Sequence, residues 1–155
     1  MRFSERLVPI PLIESKDYGS AGIDSDGVNL GLLHGLTAVF VFGALTGNSV
    51  LKIYAGATAA KTTAIAFKYR LGAADFKAAT ADQLGDEIAV ASTGLTLTAT
   101  TFDHRMVTIE IDSQALPDGK GWITCEIDAT ATVMNVGAVG IGWGRAVGHT
   151  NPTVI

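Results

Sequence analysis

The chain has 155 residues, 48% of them hydrophobic and 17% charged, which argues against a disordered polymer and leaves room for one domain with a sizeable core. Its net charge is −4 and its 11 Lys and Arg are scattered, so no groove for nucleic acid and no contact with an anionic membrane is expected. A lone cysteine, Cys125, excludes an internal disulfide.

The N-terminal 15 residues hold no continuous apolar stretch and are broken by Pro9 and Pro11, so no export signal is expected. Residues 6–10 form a short candidate strand. Residues 14–28 are polar and Gly-rich, and an arm over 1–17 that orders against a partner is expected. Asp24-Ser25-Asp26-Gly27 resembles the opening of a calcium loop, but the further ligand before the Gly and the closing Glu are missing. It reads as an Asx-type turn. A weak cation site, if one exists, would use Asp24 and Asp26, with Asp82 or Asp86.

The apolar window 30–45 is interrupted by Gly31, His34, Gly35 and Gly43 and is too short to span a membrane. Within it, residues 37–42 are apolar on both faces, as in a strand at the middle of a sandwich. Leu45-Thr46-Gly47-Asn48 reads as a hairpin loop. It leads into 49–57, where Leu51, Ile53 and Ala55 oppose Lys52 and Tyr54. Residues 62–71 alternate, with Ile65, Phe67, Tyr69 and Leu71 on one face. Residues 73–86 are rich in Ala and end at Gly85, which fits a short helix or an ordered loop. Residues 87–92 are another short strand.

Three clean alternations follow. Leu95, Leu97 and Ala99 alternate with Thr96, Thr98 and Thr100. Val107, Ile109 and Ile111 alternate with Thr108, Glu110 and Asp112. After the turn Leu116-Pro117-Asp118-Gly119, Ile123, Cys125, Ile127 and Ala129 alternate with Thr124, Glu126, Asp128 and Thr130. Residues 133–143 are strand-like, with Gly137, Gly140 and Gly142 marking bulges or close approach of another backbone. A second arm is expected over 148–155. The roughly eight to ten strands predict an all-β fold: one antiparallel β-sandwich domain over 1–155, jelly-roll-like, with at most one short helix.

Signatures of chemistry are missing from this pattern. The run Gly137 to Gly144 lacks the G-x-G-x-x-G spacing, and Gly119-Lys120-Gly121 lacks the Ser/Thr and second Gly of a P-loop. No Ser stands in Gly-x-Ser-x-Gly surroundings. His34, His104 and His149 are far apart and show no metal-ligand spacing. Cys125 lies in an apolar alternation and reads as a buried inert thiol. No enzyme activity, catalytic residue, cofactor or metal is therefore expected. Trp122 and Trp143, at strand ends, suit either packing or contact with a sugar or partner protein. The Thr-rich faces read as solvated sheet.

Several segments resemble small structural proteins of tailed bacteriophages: Gly22-Ile23-Asp24-Ser25-Asp26, the stretch from Phe42 to Leu51, Tyr54-Ala55-Gly56-Ala57-Thr58, Ala66-Phe67-Lys68-Tyr69-Arg70 and Phe102-Asp103-His104-Arg105. The likeness runs from about Gly22 to Trp143. It implies a capsid decoration (cement) protein, with the major capsid protein and its own copies, as homotrimer or homodimer, for partners. The place implied is the capsid surface of the virion, after synthesis in the host cytoplasm. A tail or head-tail connection protein and a carbohydrate-binding module are the alternatives.

Overall fold

In the computed structural model, which describes residues 7–129, 132–144 and 153–154, the alternating runs are strands of two antiparallel sheets. In chain order they are β1 (Leu7–Asp17), β2 (Ile23–Asp24), β3 (Gly27–Asn29), β4 (Gly35–Thr46), β5 (Asn48–Gly56), β6 (Thr63–Ile65) and β7 (Phe67–Leu71). Then follow β8 (Ile88–Val90), β9 (Leu95–Thr98), β10 (Met106–Asp112), β11 (Trp122–Ala129), β12 (Val133–Trp143) and β13 (Thr153–Val154). One helical turn, α1 (Ala99–Phe102), joins β9 to β10.

The first sheet runs β1-β12-β4-β10-β7-β8 and the second β13-β3-β11-β5-β6, with β2 also on β11 and β9 also on β5. Let β2 and β3 count as one broken strand and β6 and β9 as another, with β7, β8 and β13 set aside. The principal strands then lie in the order first, eighth, third, sixth in one sheet and second, seventh, fourth, fifth in the other. That interlocking of two Greek keys is a jelly roll. The sandwich expected from the alternation is present.

The inner faces carry the core. Leu36, Ala38, Phe40 and Phe42 of β4, Val107 and Ile109 of β10, and Met134 and Val136 of β12 face Leu51 and Ile53 of β5 and Ile123, Cys125 and Ile127 of β11. All belong to one buried cluster. Large and small residues interlock: Phe40 stands opposite Ala138 across the β4–β12 ladder.

Several connections differ from the sequence expectation. Leu45-Thr46-Gly47-Asn48 is no hairpin. β4 and β5 do not pair, and Gly47, at φ 82°, carries the chain from one sheet to the other. Residues 62–71 are not one strand, because the chain leaves the second sheet at β6 and enters the first at β7. The alternation persists because each sheet turns the same set of side chains toward the shared core. Residues 73–86 form turns, not a helix. Phe76 and Leu84 are 43% and 44% exposed, so there is no apolar stripe to bury, and the segment is pinned to the end of β7 by Ala73 N–H to Gln83 O and Gly85 N–H to Leu71 O. Most of the expected arm 1–17 is β1, an edge strand paired with β12. Residues 1–6 and nearly all of the second arm lie outside the described residues.

Two carboxylates tie loops to strand ends. Asp17 Oδ1 accepts from Met134 N–H and Gly19 N–H, both at 2.9 Å. These bonds, that from Met134 foremost, hold the Asp17 carboxyl below its ordinary pKa. Asp103 Oδ1 accepts from Leu45 N–H at 2.7 Å, where β4 approaches its corner.

Candidate functional surface

A strand at the middle of a sheet buries its inner face whatever its composition; what its outer face carries is a separate choice. Here β4 and β12, adjacent in the first sheet, contain no charged residue on either face. Their outward positions form rows with their neighbours. Pro11, Val139, Val39 and Thr108 lie side by side, then Pro9, Ile141, Thr37 and Glu110; Gly137, Val41 and Met106 form the row on the other side. Val41 and Val139 are 44% and 49% exposed. No described element covers them. The expectation that residues 37–42 are enclosed on both sides is therefore half met: the inner face is core and the outer face is open.

A shallow hollow of about 360 Å³ lies on this surface between Pro11, Ile13, Val39, Val41 and Val139. Gly137 is required at its margin, because a Cβ there would stand 2.9 Å from that of Ser15, where β1 bulges over β12. At the far end of the face, the Trp143 indole occupies the space above Gly35. A Cβ on Gly35 would lie 2.3 Å from the ring. Trp143 thus packs against Gly35 of the neighbouring strand and is half-buried, as is Trp122 at the start of β11.

On the second sheet one lysine bridges two carboxylates. Lys61 Nζ donates to Asp24 Oδ1 at 2.7 Å and to Glu126 Oε2, bridging β2 and β11. Burial pulls the ammonium pKa down, and the hydrogen bonds to Asp24 and Glu126 outweigh that, leaving it above the ordinary lysine value. Asp24, the first candidate for a cation, is thus held by a lysine. Asp82 and Asp86 stand in the exposed 73–87 segment, and Asp26 is half-buried beside β1, with its N–H on Leu12 O. Among the described residues no three His, Cys, Asp or Glu converge as metal ligands. Nothing in the spacing pointed to Lys61, which is 37 and 65 residues from its partners.

Cys125 is buried, and desolvation pushes its thiol up to about 12 even against the opposing effect of the neighbouring Ser25 hydroxyl. It is a neutral core side chain at physiological pH. His34 and His104 are both exposed and stand at different corners. His104 has φ 52° and its Nε2 lies 3.7 Å from Asp103 Oδ2. His149 lies outside the described residues. A cleft of about 280 Å³ opens where β7 and β10 part, between Phe67, Lys68, Glu87, Glu110 and Leu116. Lys68 and Glu87 pair on its β7–β8 side at 2.7 Å, which holds the Glu87 carboxyl below its ordinary pKa.

The architecture is thus that of a jelly-roll β-sandwich whose first sheet has an outer face without charge at its centre, over β12 and β4. No family model matches the chain, and no curated protein matches it in sequence. Among solved structures it is similar to the SPBc2 prophage-derived protein YomS, with 15% identity over 89% of this chain and 93% of that one, at a TM-score of 0.50. That likeness is one of fold. The Gx strain of infectious bursal disease virus and that virus's VP2 subviral particle align with 89% of this chain and 42% and 41% of theirs, at 11% and 13% identity. Their TM-scores of 0.21 and 0.23 carry no argument.

Proposed function

We propose that this chain is a non-enzymatic structural protein of a tailed-phage virion, and more narrowly a cement protein that binds the outside of the major capsid shell. The observation that carries the reading is the jelly roll itself, similar over nearly the full length of both chains to a prophage-derived protein. The resemblance of segments from Gly22 to Trp143 to phage structural proteins points the same way. A rigid sandwich with little ionic chemistry to spare suits such work. A ligand that binds only the assembled lattice adds its binding free energy to the cost of taking the lattice apart.

The test is to mix purified protein with capsids of its phage prepared without it, then measure co-sedimentation and heat resistance. Saturable association with a raised disruption temperature is expected. No association, or association without added heat resistance, contradicts cementing. The rival with a structural observation behind it is a sugar-binding module, in which the half-buried Trp143, packed on Gly35, stacks on a pyranose ring with the part of its indole that stays exposed.

A further inference from the structure

We infer that the outer face of the first sheet is a homodimer interface, covered in solution by the same face of a second copy. The inference stands apart from the capsid reading and needs no shell. It starts from charge. β4 and β12 carry none, and the part of β1 beside them, Leu7 to Ile13, carries none either. Charges begin only at the margins, with Glu110 and Asp112 on β10, Lys68 and Arg70 on β7, and Glu14 and Lys16 at the far end of β1. A charged or strongly polar partner would leave its own groups unpaired against this centre. A second copy brings the same uncharged rows, so two chains of net charge −4 meet without like charges opposed at the middle.

Shape agrees. An antiparallel sheet face packs against another sheet face at ~10 Å, with side chains interleaved as in a sandwich core. β4 and β12, uncharged on both sides and mostly apolar on the outer one, have a composition close to that of strands in the middle layer of such a stack. The area is of the right order. β1, β12, β4 and β10 at ~4.8 Å spacing, over about seven residues at ~3.3 Å each, make a face of roughly 440 Å² counted flat. Two faces give roughly 900 Å² before side-chain relief is added, and a lasting interface starts near ~1,000 Å².

Association through sheet edges is discouraged. β1 carries Pro9 and Pro11, which make an edge a poor template for a further strand, and β8 at the other edge has three residues. The face is the better route.

Sedimentation equilibrium on the wild type, Val139→Lys and Val41→Glu tests this. Both positions are open enough to take a charge in the monomer, and circular dichroism and thermal melting check that the fold is kept. The expected result is a wild-type dimer and, for each variant, dimerisation weakened at least about tenfold, so that the equilibrium shifts toward monomer. A wild type that stays monomeric overturns the inference, as does a dimer that both folded variants preserve. A monomeric wild type whose capsid binding is lost in Val139→Lys also overturns it, and assigns the face to the shell.

Discussion

Phe40→Ala lowers the unfolding free energy by about 3–5 kcal/mol, the usual cost of removing a fully buried aromatic. Phe40 is fully buried at the centre of β4 and lies parallel to Phe42, with centroids 6.3 Å apart and planes at 11°. Its neighbours across the ladders are Ala138 and Val107. Ala138 is too small to move into the space, so the cavity stays open. For a chain of this length the melting temperature falls by on the order of 10 °C at fixed protein concentration. Val41→Ala, one position along the same strand, changes the stability of the monomer by no more than about 0.5 kcal/mol, because Val41 points outward. Urea melts of both variants check this. Equal costs, or the reverse order, would mean that the register of β4 is displaced by one residue, which exchanges the two faces.

Ser25→Ala costs about 1–3 kcal/mol, large for the loss of one oxygen. β11 is flanked by β2 at Glu126 and Ile127 and by β3 at Trp122 and Ile123, and between them neither strand pairs with Cys125. Ser25 fills that gap in the ladder. Its N–H donates to Cys125 O at 2.8 Å, and its hydroxyl accepts from Cys125 N–H at 2.9 Å while donating to Asp26 O at 3.0 Å. Both Ser25 and the Cys125 amide are buried, so the substitution leaves a donor with no water to turn to. Ser25→Thr keeps the hydroxyl and loses less. A Ser25→Ala midpoint indistinguishable from wild type would show that the amide finds another acceptor.

Much of this architecture is legible in the chain before any coordinates, because one physical rule, period-two burial, governs most of it. The runs around Val107, Ile109, Ile111 and around Ile123, Cys125, Ile127 become β10 and β11 with those residues inward. Where the rule is silent, the reading departs from the fold. Alternation does not record a change of sheet, so the crossings at Gly47 and near Ala66 look like a hairpin and an unbroken strand. Ala-rich composition favours a helix at 73–86, but propensity without an apolar stripe does not hold one against the edge of a sheet.

The candidate surface was half visible. The apolar character of both faces at 37–42 is plain in the sequence, whereas its meaning depends on what lies outside the sheet. In the sequence Ser25 is no more than part of a turn. Its task arises from a break in the strand flanking β11, 100 residues away, and no local spacing encodes that.

Electron cryo-microscopy of phage particles bearing the chain, compared with particles from a deletion strain, tests the functional account most directly. The account predicts added density of jelly-roll size at repeated positions on the outer surface of the head, absent from the deletion strain. Density confined to the tail or connector, or two indistinguishable maps, would contradict it.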